Sequence, residues 1–147
     1  MPDLSQFSDL AAAESGLVVV STARADGSIQ ASLVNAGVFP HPVTDVATVA
    51  FVTYGRAKLG NLRARPWATI TARSGWQWSS VEGVVDIIGP DDSTPGAEDE
   101  DVPALLRAVF AAAGGTHDDW DAYDATMAEQ RRAAVLITPR RAYSNRK

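Results

Sequence analysis

The stretch that decides the fold is VATVAFVTYGRAKLGNLRARPWATITAR, residues 46–73. It opens on an apolar run, 46–53, in which hydrophobic residues occupy both parities. A strand of that kind is covered on both faces. It closes on WATITAR (67–73), a second strand. Between them lies a short helix ended by Pro66, with Leu59 and Leu62 as its inner stripe. Arg56, Lys58, Arg63 and Arg65 all fall within this helix and its end, although the chain carries a net charge of -5.

That basic run reads in two ways. The unpaired N–H groups at the start of a helix favour an anion, Arg supplies a forked donor for phosphate or carboxylate, and Lys supplies a point charge. Lys58, Asn61 and Arg65 share one helix face by their i, i+3, i+7 spacing. The other reading is a helix with its cations turned to water, since no Gly-rich phosphate loop is present.

Outward from the run, the pattern is that of a small β-protein. Residues 3–14 predict a short helix capped by Asp3 or Ser5. Leu17 to Arg24, the Asp26-Gly27 turn and the alternating segment from Ser28 predict a hairpin. PHPVTD (40–45) is a turn. WQWSSVEGVVDIIG (76–89) is a fifth strand, bulged at Gly83, and AAVLITP (133–139) a sixth. Residues 102–114 and 117–131 predict helices. Six strands joined mostly by hairpins predict a mainly β fold, a six-stranded antiparallel barrel with peripheral helices. At 147 residues it is expected to be one domain, with a helical insertion at about 102–131.

Composition excludes several chemistries. Without cysteine there are no disulfides or thiolate sites, and His41 and His117 are too few for a three-histidine zinc centre. Both read as surface histidines rather than bases. The acidic balance argues against nucleic acid and membrane surfaces. No signal peptide is evident and no apolar run reaches the ~20 residues of a spanning helix, so a cytoplasmic protein is expected. The acidic loop GPDDSTPGAEDED (89–101) reads as a solvated linker, with no metal. Trp76 and Trp78, on one side of the fifth strand, offer either a stacking surface or core and subunit packing. Glu82 and Asp86 lie on one strand face, but the bulge speaks against a paired-carboxylate hydrolase. Any hard chemistry is expected to come from a cofactor.

TARADGSIQASLVN, AFVT, GRAKLGNLRARPWATITA, SSVEGVVDI and VLITPRRAYSNR, in this order, resemble the split-barrel flavin and deazaflavin oxidoreductases. These are relatives of pyridoxamine 5′-phosphate oxidase, and the similarity is nearest to the branch that uses coenzyme F420. The resemblance implies a six-stranded split barrel that pairs as a homodimer, with the cofactor in a groove between subunits. It assigns Arg56 and Lys58 to the cofactor phosphate and Asn61 to the same tail. It sets Gln30, Ser32 and Val34 beside the ring and Trp78 where the opposite subunit closes the groove. Arg141 and Asn145 fall in a C-terminal segment that reaches the site. Catalytic residues stay unassigned. The acidic loop and helical pair at 89–131 exceed the smaller members, and Arg65-Pro66 stands where Asn-Pro is common. The resemblance favours the phosphate site, and it makes strand 46–53 one caught between barrel core and dimer contact. It implies an F420-dependent reductase acting on a small conjugated acceptor. An FMN-dependent enzyme on the same barrel and a non-catalytic cofactor carrier are the alternatives. The surplus cations Arg63 and Arg65 tilt the choice toward the polyanionic deazaflavin tail.

Overall fold

The computed structural model describes residues 1–146. Its elements are α1 (Ser5–Ala13), β1 (Leu17–Ala23), β2 (Ile29–Pro40), β3 (Ala47–Thr53), α2 (Arg56–Ala64), β4 (Trp67–Ser74), β5 (Gln77–Ile88), α3 (Val102–Ala112), α4 (Trp120–Glu129) and β6 (Ala133–Ser144). The six strands close into an antiparallel barrel in the order β1-β2-β3-β6-β5-β4. Alternation does the sorting. On β1, Val18 and Val20 point inward and are buried, while Leu17 and Val19 are exposed. Phe51, Ile70, Val81 and Ile137 fill the interior, joined by Phe7 of α1 and by Leu59 and Leu62 of α2.

A second core lies outside the barrel. Ala50 of β3, Ile88 of β5, and Ala134 and Leu136 of β6 face outward and meet Leu105, Leu106 and Val109 of α3 and Tyr123 of α4. This corrects the expected role of strand 46–53. Its second apolar face is covered by the chain's own helices α3 and α4, not left for a second subunit. Periodicity signals that a face is covered but carries no information about what covers it.

Two further differences concern loops. The acidic loop is a clasp rather than a free linker. Asp92 takes a two-pronged bond from Arg63 at 2.9 and 2.7 Å, Asp91 pairs with Arg131, and Asp101 caps α3 by accepting from the Ala104 N–H. His41 is 2% exposed rather than on the surface. Its Nδ1 accepts from the Val43 and Thr44 N–H groups, so Nε2 carries the proton and donates to Asp86 at 2.8 Å. The ring thus pins the 40–45 turn to β5. The irregularity in β5 falls at Glu82/Gly83, where sequence puts it, but the extra residue is Arg140 of β6. A side chain at Gly83 would meet the Thr138 carbonyl oxygen at 1.9 Å, so glycine is required there by close approach.

Candidate functional site

α2 begins where β3 ends. Gly55 is its N-cap residue and has no capping side chain, so the first N–H groups of the helix have no side-chain acceptor there. Lys58 lies in this first turn and is only 7% exposed. Its Nζ donates to Thr53 Oγ1 at 3.3 Å and sits 6.0 Å from the Phe51 ring centroid. Among the described residues no carboxylate pairs with it. Burial, reinforced by the charge of Arg132, pushes its pKa below the ordinary lysine value.

Lys58 opens onto a cleft of ≈ 570 Å³, within the ~300–1,000 Å³ typical of small-molecule sites. Barrel residues form one side of it: Val34 and Asn35 of β2, Thr53 and Tyr54. Helices α3 and α4 form the other, with Phe110, Tyr123 and Met127. Arg132 closes the rim, its guanidinium carbon 4.0 Å from the Tyr54 ring centroid. Sequence reasoning passes over Arg132 and the aromatic wall. No local signal marks them; only the pairing of Thr53 with Ala133 brings the end of the insertion to the end of β3.

Beside Lys58 on the same helix face, Asn61 donates to Thr22 Oγ1 at 3.0 Å, and Thr22 donates to Gln30 Oε1 at 3.3 Å. Arg65 reaches Asn61 Oδ1 at 3.4 Å and the Ala23 carbonyl at 2.9 Å. Asn61, Arg65, Thr22 and Gln30 are thus linked by hydrogen bonds, while the Lys58 side chain turns to Thr53 and the cleft. Ser32, two residues on, has a buried Oγ with no hydrogen-bond partner. Such an atom costs free energy unless something supplies a partner. Arg56 is exposed and engages no side chain among those described. Arg63 is neutralised by Asp92, while Arg65 is tied to Asn61 and a backbone carbonyl without a carboxylate partner among the described residues.

Trp78 of β5, Arg141 of β6 and Asn145 just beyond β6 form a separate group. Trp78 meets Tyr143 edge-on at 6.1 Å, and Arg141 pairs with Glu82 at 3.0 Å. Asn145 accepts from the Trp78 N–H at 3.0 Å and donates to the Trp76 carbonyl at 2.6 Å. Trp76 itself lies in the turn before β5, 94% exposed, so the two tryptophans do not make a paired surface. Glu82 and Asp86 are held by different partners, Arg141 and His41. This group shares the barrel's outer face with Leu33, Val19 and Ile29, which are exposed apolar side chains on β1 and β2. The pairings Leu33–Val19–Thr71–Ser80–Tyr143 form one continuous row across five strands.

No protein-family model and no curated protein matches the sequence. Solved structures do. A conserved hypothetical protein of Mycobacterium tuberculosis superposes with a TM-score of 0.67 at 19% identity, over 98% of this chain and 84% of that one. A pyridoxamine 5′-phosphate oxidase-related, FMN-binding protein of Nostoc punctiforme gives 0.66 at 14% identity, over 98% and 84%. A solved F420 reductase gives 0.54 at 18% identity, over 86% and 88%. The fold of the chain is the six-stranded FMN-binding split barrel of the pyridoxamine 5′-phosphate oxidase type.

Proposed function

We propose that the cleft at Lys58 holds the phosphorylated tail of a flavin-type cofactor, and that the protein is an F420-dependent oxidoreductase. In this reading hydride passes between reduced deazaflavin and a small conjugated acceptor. The carrying observation is Lys58 itself: a buried cation, with no carboxylate, at the uncapped start of a helix. An anion there would meet helix N–H groups and an ammonium already stripped of water. The residues fit such a group. Lys58 with the α2 N–H groups would take the phosphate, Arg56 would approach the tail from solvent, and Asn61 would support the same side. Gln30, Ser32 and Val34 would flank the ring, with the free Ser32 Oγ as a hydrogen-bonding partner.

When bound, a deazaflavin supplies a hydride, so the protein needs to bind, orient and exclude water rather than break bonds itself. Phe110, Tyr123 and Met127 give the cleft an apolar wall suited to a planar acceptor. FMN on the same barrel is the second reading, favoured by the FMN-binding protein among the structural neighbours. With Arg63 paired to Asp92, its charge no longer argues for the longer tail. Arg56 and Arg132, both free of carboxylate partners among the described residues, still leave room for more than one negative group.

Titration of purified protein with F420 and with FMN, followed by turnover with quinone-type acceptors, tests the reading. Oxidation of added reduced F420 supports it. Tight binding of either cofactor without turnover would leave a carrier, and binding of neither would end the proposal.

The exposed apolar side chains Leu33, Ile29 and Val19 on the outer face support a homodimer in which Trp78, Arg141 and Asn145 of one copy approach the groove of the other. Leu33 is 62% and Ile29 59% exposed, and contiguous apolar surface of this kind marks an interface. Light scattering is expected to give twice the monomer mass, and Leu33→Arg with Val19→Arg to return it to one monomer. A parent that runs as a monomer at micromolar concentration contradicts this.

A further inference from the structure

Arg132 stands where the insertion returns to the barrel. The residue before it, Arg131, is fully engaged with Asp91. Arg132 is held differently. Its Nε donates to Gln130 Oε1 at 2.6 Å, and its guanidinium lies over Tyr54 at 4.0 Å. No carboxylate pairs with it, and its terminal amino groups have no hydrogen-bond partner among the described residues. Stacking fixes the plane of a guanidinium while leaving its outer N–H donors free. Arg132 and Lys58 line the same cleft. Two cations drawn together with no anion between them repel, and Lys58 is buried as well. An anion in the cleft would relieve both costs.

We propose that Arg132 is a further binding residue of this cleft, and that it and Lys58 hold one phosphoryl group between them. The anion site is then composed jointly by the barrel and the α3–α4 insertion. This rests on the cofactor reading of the cleft, but names a residue that the reading does not require. The forked donor of Arg132 suits two phosphoryl oxygens, and Lys58 with the α2 N–H groups suits the rest. Arg56, exposed and unsupported by any neighbour, is the lesser contributor. The phosphoryl group is either a monoester, as in FMN, or a diester, as in the F420 tail.

The test compares each cofactor with its phosphate-free counterpart. Fluorescence titrations use FMN against riboflavin, and F420 against its chromophore lacking the phosphoryl tail. The proteins are the parent, Arg132→Ala, Arg132→Lys, Lys58→Met and, as control, Arg131→Ala. Arg132→Ala is expected to weaken the phosphorylated ligand about ten- to a hundredfold while leaving its counterpart unchanged. Arg132→Lys should fall between, and Arg131→Ala should bind as the parent does. The pair that shows the loss identifies monoester or diester. Because the readout is a preference between two ligands, a merely structural role for Arg132 would not move it. If Arg132→Ala keeps the parent's preference while Lys58→Met loses it, the inference is wrong and the cofactor reading stands. If no chromophore binds but pyrophosphate raises the melting temperature in an Arg132-dependent way, the inference stands and the cofactor reading falls. If neither chromophores nor pyrophosphate bind, both fail.

Discussion

Replacing Lys58 by methionine is expected to weaken cofactor binding about ten- to a hundredfold and, at the same time, to raise the melting temperature of the ligand-free protein. The first effect is the loss of a charge-assisted contact to phosphate, worth roughly 1.5–3 kcal/mol. The second follows from burial. Lys58 holds its charge at 7% exposure with only a hydroxyl partner, and Arg132 adds repulsion. Methionine fills a similar volume with comparable helix propensity and needs no water. Thr53 Oγ1 is not orphaned, because it still accepts from the Gly55 N–H. A gain on the order of 1 kcal/mol corresponds to roughly 2–4 °C. The pH dependence has a definite sign. A lysine whose folded pKa lies below its unfolded value costs stability while protonated, and that cost is relieved as pH rises from the folded value to the ordinary lysine value. The parent's ligand-free stability should therefore gain across that alkaline window relative to Lys58→Met. Scanning calorimetry with and without cofactor measures both effects. A variant that melts lower than the parent, or that binds equally well, would show Lys58 to be an ordinary structural lysine.

The sequence was most informative where the relevant physics is local. The Asp26-Gly27 turn, the alternation on β1 and β2 and the helix closed by Pro66 are all set by residues near one another in the chain, whereas the irregularity at Gly83 is marked by its glycine but made by Arg140 of β6. The contact between Asn61 and Arg65 follows from helical spacing in the same way. What escaped depends on distant partners. His41 looks exposed between two prolines until β5 brings Asp86 to it, 45 residues away. Arg63 looks like a ligand for phosphate until Asp92 folds back onto it. The outer face of β3 reads as an interface, and it is one, but with α3 and α4 of the same chain. Arg132 has no distinguishing neighbours in sequence. It belongs to the candidate site because β6 pairs with β3, a relation the chain specifies only through its closed barrel.

The insertion's place in the site rests on Gly37, and its replacement is expected to have the largest effect on stability. Gly37 lies on β2 where the C-terminus of α3 crosses the strand. A Cβ there would stand 2.2 Å from the Ala112 carbonyl oxygen and 2.9 Å from the Ala113 Cα, all backbone. Nothing flexible can yield, so α3 must lift. The neighbouring Asn35 donates to the Ala113 carbonyl at 3.2 Å and to the Ser15 carbonyl at 2.9 Å, and would lose the first of these as the helix moved. Gly37→Ala is expected to cost about 2–3 kcal/mol, or roughly 5–10 °C. Lifting α3 also displaces Phe110 and disturbs its packing on Tyr123, whose hydroxyl donates to the Leu106 carbonyl at 3.1 Å. Ligand binding should fall along with stability, even though Gly37 does not line the cleft. Gly60→Ala is the matched control. It sits inside α2 with nothing within 4 Å of the added carbon, and should stabilise by about 0.5–1 kcal/mol. If Gly37→Ala melts with the parent, α3 does not rest against β2 as described. If it is destabilised yet binds cofactor with undiminished affinity at a temperature where it is folded, the insertion is a separate layer of the molecule and not a wall of its site.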